Sequence, residues 1–438
     1  MATIRDLAGT DRSAEPRSLG RVIDVAAVMA ILIYWTEILR ILFPGTDGVS
    51  AAFRLTHFAI YGMLAAMILA SPGPVWPTLR RAPMLLAFTL LPIVSTAWSV
   101  EPQETLQRSI ALIGCTLLAL HLAAQRSGDE IVALIAAACT LAAAISLALI
   151  IAVPSVGLMQ GEGVGNAWAG TWAGAHIHKN ALGQMAGLGV VVCLIAWMNP
   201  KVAMRPLAAA GLVLNAVLVA GSRSLSAQFI TVAVALMVIG AGTIARLAGQ
   251  LVLPIVILLV GALLCATLSL SVDDLFDLLG AFGKDATMSS RVPLWTLLAE
   301  FIQDRWWLGY GYEAFWTEGF HAGRFIESRL YFRPHYAHNG YVELWLGLGA
   351  VGVGLFALLA VRLVWFAMKR IAADPSDPAA LLALGFVTMY LLQNVSEATI
   401  LARNNMNWVL FATLLLAMLR PTEPADAPRA SRPRLLVR

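Results

Sequence analysis

Long apolar runs, separated by short polar segments, dominate the chain. A helix needs about 17–25 apolar residues to cross the hydrocarbon core of a bilayer, and most of the runs approach that length. The shorter runs reach it if flanking residues extend them. Twelve runs are predicted as transmembrane helices, at 22–43, 55–70, 83–98, 110–124, 131–153, 181–198, 206–220, 225–245, 251–270, 340–368, 379–395 and 408–419. The pattern predicts an all-α polytopic membrane protein with about twelve transmembrane helices.

Composition excludes a soluble globular domain. Hydrophobic residues make up 59% of the 438 residues and charged residues only 13%, whereas a soluble domain carries roughly a quarter charged residues. The net charge of +4 gives no ground for a nucleic-acid partner. The four cysteines lie inside apolar runs without CxxC spacing, which predicts small buried side chains rather than disulfides or a metal site; they are Cys115, Cys139, Cys193 and Cys265.

Basic residues fall in every second loop, and such residues prefer the cytoplasmic side of a membrane. This bias predicts that both termini are cytoplasmic. The predicted organisation is a cytoplasmic segment 1–20, helices one to nine in 21–270, a large periplasmic loop 271–339, helices ten to twelve in 340–420 and a disordered cytoplasmic tail 421–438. The other outward segments are 154–180 and the short turn 221–224.

The large outer loop is far longer than a typical connection. It contains LWTLLAEFIQDRWWLGYGYEAFW, which is too apolar and aromatic for a disordered segment. We therefore expect it to contain helices that lie on the membrane face, with Trp306 and Trp307 at the interface.

Titratable residues gather in the outward segments. Five of the seven histidines lie there, namely His176, His178, His321, His335 and His338. The basic residues of these segments include Lys179, Arg223, Arg291 and Arg403. Guanidinium groups bind phosphate or pyrophosphate through two parallel hydrogen bonds, and a histidine near neutrality takes a proton from a hydroxyl. The collection predicts transfer from a lipid-linked phosphate donor to a hydroxyl acceptor.

Two of the motifs allow a plain structural interpretation as well. AHIHKNALG, at 175–183, fits a membrane-interface lysine with an asparagine helix cap equally well. In GSRS, at 221–224, a positive residue stands in a short outer turn against the orientation bias, which favours function over simple binding of lipid head groups.

Two further motifs stand at predicted helix starts. SSRVPLW predicts serine caps followed by Pro293 in the first turn, so that Arg291 adds to an anion site or is an ordinary surface arginine. AHNGYVELW predicts either a functional His338 or an interfacial belt anchored by Tyr341 and Trp345. His335 and His338 lack a nearby carboxylate that would complete a metal set, so no metal site is expected.

Charged residues also occur inside apolar runs. Asp24, Glu37 and Arg40 lie in the first run, where Glu37 and Arg40 have the i, i+3 spacing of a helical ion pair. Glu397 and Arg403 lie near the outer ends of the last two helices. They either pair structurally or line a cavity, and the sequence leaves both possibilities open.

The order of five motifs carries a family resemblance. HKNALG, GSRS, SRVPLW, WWLGYGYEAFW and AHNGYVELWLGLGAVG together resemble the O-antigen ligase/polymerase superfamily, and within it most closely the ExoQ-like exopolysaccharide polymerases. The resemblance extends over 174–408. It implies the fold of helical (GT-C-like) membrane glycosyltransferases in the bacterial inner membrane, with a periplasmic active site that uses undecaprenyl-pyrophosphate-linked glycans without metal, nucleotide sugar or other cofactor. The HKN motif is typical of the ExoQ-like branch, where ligases often have an arginine.

The resemblance also implies roles for residues. Arg223 and Arg291 match the family's essential arginines, and His338 matches its essential histidine. The predicted substrate-binding residues are His178, Lys179, Asn180, Ser222, Ser224, Tyr310, Tyr312, Asn339, Glu397 and Arg403. Tyr310 and Tyr312 of this set are expected to stack on sugar rings. Trp316, which is outside the set, is expected to do the same.

The function expected from these features is polymerisation of lipid-linked repeat units into exopolysaccharide or O-antigen. The expected partners are the lipid-linked donor, a glycan or lipid A–core acceptor, membrane lipids, a chain-length regulator and a flippase. The alternatives are ligation of O-antigen to lipid A–core, glycan transfer to a protein, and transport of the same lipid. A transporter should show inverted repeats with midplane charges, and the sequence shows no convincing repeat. A purely structural subunit would leave the outward arginines unexplained.

Overall fold

The computed structural model describes residues 19–36, 51–160, 169–202, 204–248, 291–330 and 334–421. Over these ranges the chain is helical, and the only β-type pairing is one isolated antiparallel bridge between Leu158 and Trp172. The first helices are α1 Leu19–Tyr34, α2 Ala51–Ala70, α3 Val75–Arg80, α4 Pro83–Val94, α5 Pro102–Gln125, α6 Gly128–Ala152 and α7 Pro154–Gly157. The later ones are α8 Lys179–Met198, α9 Arg205–Gly221, α10 Leu225–Ala248, α11 Arg291–Asp304, α12 Ala322–Leu330, α13 Gly340–Ala373, α14 Pro378–Gln393 and α15 Met406–Met418.

Four of the described helices are long and apolar enough to cross a membrane: α5, α6, α8 and α13. Shorter apolar helices occupy 55–70, 83–97, 205–221, 225–241, 378–393 and 406–418. The predicted all-α membrane fold is therefore confirmed over the described ranges. The predicted run 251–270, the tail, and the Glu37–Arg40 pair lie outside those ranges, so the number of twelve stays a prediction.

Helices α8, α14 and α15 form the centre of the bundle. Nearly every residue of α14 and α15 is buried, and α8 packs against α6, α9, α10 and α14. These three helices are apolar around their whole circumference, which is the pattern of a helix enclosed by others. Helices α5, α6 and α13 bury about half of their apolar windows, as expected for helices at the edge of such a bundle.

The segments predicted to be cytoplasmic meet at one end of the bundle. Lys201 Nζ donates to Asp374 Oδ2 at 2.7 Å, and the guanidinium of Arg420 donates to the carbonyl of Arg126. Asp24, which the sequence placed in the first apolar run, forms an ion pair with Arg126. Charges that would be costly in the apolar part of a membrane are therefore paired at the helix ends.

Helix α13 differs from the single uninterrupted span predicted for 340–368. Gly349 interrupts it with φ 62° and ψ −165°, a backbone region that essentially only glycine populates. A helix break frees backbone groups that must find other partners inside a membrane protein.

The segment after α11 supplies those partners. The carbonyls of Leu346 and Gly347 accept from the N–H groups of Tyr310 and Gly311, at 2.7 and 3.0 Å. On the other side of the break, Ala350 and Val351 donate to the carbonyls of Trp306 and Trp307. The chain after α11 is thus hydrogen-bonded into the gap in α13. Helices α11 and α12 confirm that the segment 271–339 contains helices, and their predicted place on the membrane face stays a prediction. The WWLGYGY stretch itself is the inserted turn.

We expect Gly349→Ala to lower the thermal unfolding midpoint of the purified protein in detergent. A Cβ at Gly349 would lie 2.2 Å from the backbone carbon of Trp307, and strain in this region costs of order 1–3 kcal/mol. Gly354→Ala is the matched control, because nothing lies within 4 Å of a Cβ there. An unchanged midpoint for Gly349→Ala would show that the insertion is not tightly packed.

Candidate active site

The loop between α14 and α15 joins two of the predicted site segments. The side-chain amide of Asn180, at the start of α8, donates to Glu397 Oε1 at 3.2 Å. Arg291, at the start of α11, donates through Nη1 to the carbonyl of Ser396 at 2.9 Å. Segments more than a hundred residues apart in sequence therefore meet at one point.

The start of α8 carries the HKN motif. His178 is the N-cap, because its ring nitrogen accepts from the backbone N–H of Asn180 at 3.2 Å; the predicted asparagine cap is wrong in this respect. Lys179 is buried and its Nζ contacts the carbonyl of Arg223 at 3.4 Å. Burial lowers the pKa of His178, and the positive charges of Lys179 and Arg291 lower it further.

The GSRS turn presents Arg223 and buries both serines. The Ser222 hydroxyl donates to the carbonyl of Val219 at 2.7 Å and accepts from the N–H of Ser224 at 3.2 Å. Both serine side chains are buried. They therefore stabilise the turn from inside, and this role differs from the substrate-binding role predicted for them. Arg223 is exposed and has a left-handed backbone, with φ 50°, a conformation that is uncommon for a residue with a side chain.

Arg291 is the first residue of α11, with Pro293 in the first turn. The serine caps predicted for this helix start lie outside the described residues, so the start stays a prediction, although a proline here is typical of a first turn. Arg291 also acts on its neighbour Glu397. Burial raises the pKa of Glu397, and both the charge of Arg291 and the hydrogen bond from Asn180 oppose that rise.

The backbone at His338 is held on its C-terminal side. Asn339 is the N-cap of α13, and its side-chain oxygen accepts from two backbone N–H groups of the first turn. The N–H of Gly340 donates to the carbonyl of Asn394 at 2.8 Å. His338 itself has φ 52°. Asn339 thus has a capping role, and the strained backbone is at the residue predicted to be catalytic.

The ring of His338 is partly enclosed. It packs on Tyr336, with ring centroids 4.0 Å apart, and its buried Nδ1 has no hydrogen-bond partner among the described residues. Burial lowers the pKa of His338 to about 4, and the nearby charges of Arg291 and His178 contribute. The imidazole is therefore neutral at pH 7 and able to accept a proton.

The arrangement suits an anion next to a neutral base. The amino-terminal ends of α8 and α13 lie in this cluster, and such ends carry partial positive charge and backbone N–H groups. Lys179, Arg223 and Arg291 add full positive charges. No group of three or more His, Cys, Asp or Glu residues in the described ranges is placed to hold a metal ion.

Arg403 belongs to a separate ion-pair group. Its Nε donates to Glu313 Oε2 at 2.8 Å, and Arg108 Nε lies 4.0 Å from the same oxygen. Glu397 and Arg403 do not pair with each other in this arrangement, because Arg403 pairs with Glu313 while Glu397 accepts from Asn180. This pairing indicates a structural role for Arg403.

Tyr310 and Tyr312 are packing residues. Their exposed fractions are 3% and 4%, and their hydroxyls donate to Asp304 at 3.0 Å and to the carbonyl of Leu401 at 2.5 Å. Burial raises the pKa of both hydroxyls. The sugar-stacking role predicted for these rings does not agree with their burial.

Two of the predicted histidines are exposed, and one acidic residue that was not predicted is hydrogen-bonded next to the site. His321 and His335 are exposed, and His321 contacts the carbonyl of Glu318 rather than the cluster. Glu343, which is not among the residues predicted for the site, accepts hydrogen bonds from Trp316 and from the N–H of Ala337. The available signal was a carboxylate within an apolar run, where charge is rare and tends to be functional.

Two comparisons with known proteins match the chain. Residues 207–357 match a family model described as O-Antigen ligase. Over 372 residues the chain is 25% identical to the exopolysaccharide production protein ExoQ of Rhizobium meliloti (strain 1021), which covers 80% of this chain and 80% of that protein. Both matches point to the O-antigen ligase/polymerase superfamily. The two matches confirm the resemblance predicted from the motifs, and the apolar helices indicate an integral membrane protein.

The superfamily match covers part of the cluster. The matched region runs from α9 into α13, so it includes Arg223, Arg291 and His338. His178 and Glu397 lie outside it, although the structure places both in the same cluster. The candidate site is thus built from the matched region together with α8 and the α14–α15 loop.

Proposed function

We propose that this protein polymerises undecaprenyl-pyrophosphate-linked oligosaccharide repeat units at the periplasmic face of the bacterial inner membrane. The observation that carries the proposal is the convergence of a neutral, strained His338 with Arg291 and the HKN segment. An anion site beside a proton acceptor is what glycosyl transfer from a pyrophosphate donor requires. In this proposal 271–339 is the periplasmic loop and both termini are cytoplasmic.

The positive groups bind the donor and stabilise its leaving group. The lipid-linked saccharide enters sideways from the bilayer, and its pyrophosphate contacts Arg223 and Arg291 with help from Lys179. As the bond between the anomeric carbon and the pyrophosphate oxygen breaks, the electron pair stays on that oxygen. Fixed positive charges in a partly buried site stabilise this growing negative charge more than water does.

His338 takes the proton of the acceptor. A sugar hydroxyl of the acceptor glycan attacks the anomeric carbon and forms the new glycosidic bond, while its proton passes to the neutral imidazole. Undecaprenyl pyrophosphate leaves, and the imidazolium then loses its proton to the surroundings. We expect this reaction to use no cofactor, because the chain's own residues supply both the charge stabilisation and the base.

Ligation of a finished O-antigen to lipid A–core is the second candidate, because the matching family model is described as O-Antigen ligase. The two reactions share the donor and the leaving group and differ only in the acceptor. The HKN segment at 178–180 and the similarity to an exopolysaccharide production protein favour the polymerase.

The deciding experiment is glycan analysis of the native host lacking this gene, complemented with the wild type or with an inactive variant. A polymerase predicts that single lipid-linked repeat units accumulate and polymer disappears. Persistence of long lipid-linked polymer that never reaches lipid A–core would instead identify a ligase. Incubating the purified protein in detergent with lipid-linked repeat units tests the transporter alternative, because polymer formed without two compartments requires an enzyme.

The pH dependence of the purified enzyme follows from the buried base. The pKa of His338 is lowered to about 4, so the acid limb of kcat/KM, which reports the free enzyme, is expected near pH 4. The negative pyrophosphate stabilises the imidazolium in the bound complex, so the acid limb of kcat should lie at higher pH. An acid limb of kcat/KM near 6.5, the ordinary value for histidine, would contradict the buried neutral base.

A further inference from the structure

We propose that Glu343, together with Trp295, is a positioning residue that holds His338 in its reactive orientation. The inference rests on the proposed function, because it assigns a role toward the proposed base. It concerns residues that do not themselves touch substrate.

The peptide groups of Ala337, the residue before His338, are held from both sides. The N–H of Ala337 donates to Glu343 Oε2 at 2.8 Å, and its carbonyl accepts from Trp295 Nε1 at 2.8 Å. Ala337 is fully buried. Two side chains from two different helices therefore fix the orientation of the backbone immediately before His338.

The carboxylate of Glu343 is fixed in turn. Trp316 Nε1 donates to Glu343 Oε1 at 2.8 Å and approaches Oε2 at 3.1 Å. A carboxylate oxygen accepts more than one hydrogen bond, so Glu343 joins Trp316, in the segment that follows the inserted turn, to the loop that carries His338. These hydrogen bonds occupy both oxygens of Glu343, so rotation of its side chain would break at least one of them.

The strain at His338 explains why such support is needed. A left-handed backbone costs a residue with a side chain roughly 1–2 kcal/mol, and His338 has φ 52°. Gly340 is tied to Asn394 on the C-terminal side, and Ala337 is tied to Glu343 and Trp295 on the N-terminal side. Release of either side lets the residue relax to an ordinary conformation and moves the imidazole.

Trp295 also sets the distance between the base and the anion site. It lies four residues after Arg291 on α11, and residues at this spacing share one face of a helix. The same helix thus carries the arginine proposed to bind pyrophosphate and the indole that holds the peptide before His338. A rigid link of this kind keeps Arg291 and His338 at a fixed distance from each other. A misplacement of about 1 Å can cost about 100-fold in rate.

The test measures kcat, donor KM and pH profiles of purified variants with lipid-linked repeat units. Glu343→Ala is expected to lower kcat about 100-fold with little change in KM. Glu343→Gln should lie between, because one amide oxygen remains as an acceptor while the NH₂ faces a donor. Trp295→Phe removes only the indole N–H and should lower kcat in the same way. In all three variants the acid limb of kcat/KM should move from near 4 toward 6.5, since a loosened loop exposes the imidazole.

A double-mutant cycle separates positioning from general damage. If Glu343 acts through His338, Glu343→Ala adds little loss to His338→Ala. Multiplied losses would overturn the inference, as would wild-type kcat in Glu343→Ala. Should Glu343→Ala fail to fold, Trp295→Phe decides, and wild-type kcat there overturns the inference equally.

Matched controls come from the same region. Trp345→Phe also removes an indole hydrogen bond, to the carbonyl of Trp306, but leaves Ala337 untouched. Glu327→Gln neutralises an exposed glutamate of α12. Both should keep kcat and the acid limb. If His338→Ala itself retains full turnover, the proposed base and the positioning inference fail together. If His338→Ala is inactive while the Glu343 and Trp295 variants are fully active, only the positioning inference fails.

Discussion

Replacement of His338 by asparagine is expected to lower turnover by about 10²–10⁴-fold, the usual contribution of a general base. Asparagine is chosen because it tolerates the left-handed backbone that His338 adopts at φ 52°, and because it does not accept a proton at neutral pH. His338 Nδ1 has no hydrogen-bond partner among the described residues. The substitution should therefore remove the base while leaving the loop in place. The measurement is polymer formed per unit time by the purified protein from lipid-linked repeat units.

His335→Asn is the matched control for this variant. His335 lies three residues earlier in the same loop, is exposed and stands outside the cluster, so its turnover should equal that of the wild type. The thermal unfolding midpoint of His338→Asn should also stay close to that of the wild type. Retention of more than about a tenth of the turnover by His338→Asn would mean that the histidine does not act as the base, since general-base catalysis contributes at least about 10²-fold.

The helices were predictable where an apolar run is continuous and bounded by polar residues. The apolar runs at 131–153 and 181–198 agree closely with α6 and α8, because an apolar run bounded by polar residues has few alternatives inside a membrane. The break in α13 was not predictable from its own residues. Gly349 lies in a glycine-containing apolar run that also fits a continuous helix, and its partner segment is about forty residues earlier in the chain.

The candidate site was predictable in part for a similar reason. A functional role for Arg223 was predictable because a positive charge in a short turn predicted to be outside opposes the orientation bias. That signal depends only on local sequence. Whether a polar side chain faces a cavity or the interior depends on tertiary contacts. Ser222 and Tyr312 have the chemistry of binding residues but are buried in packing contacts. Glu343, in contrast, lies in an apolar run, and only its hydrogen bonds with Ala337 and Trp316 in the folded structure connect it to the site.

Substitutions of Arg291 distinguish the contribution of its positive charge from that of its hydrogen-bonding geometry. Arg291→Lys keeps the positive charge but loses the planar fork that binds a phosphate through two hydrogen bonds. It also loses the fixed bond from Nη1 to the carbonyl of Ser396. Removal of one donor that stabilises a developing anion costs about 10²–10³-fold in kcat. We therefore expect a loss of this size for Arg291→Lys and a larger one for Arg291→Met, measured as turnover of lipid-linked repeat units.

The pH profiles of the two variants should then diverge. The charge of Arg291 is one of the causes that lower the pKa of His338, so Arg291→Met should move the acid limb of kcat/KM to higher pH, whereas Arg291→Lys should leave it nearly in place. Arg329→Met, at an exposed arginine of α12, controls for a general loss of positive charge and should behave as the wild type. Equal turnover of Arg291→Met and the wild type would remove Arg291 from the anion site. An acid limb unmoved in Arg291→Met would instead show that burial alone keeps His338 neutral, and that the arginine acts only on the leaving group.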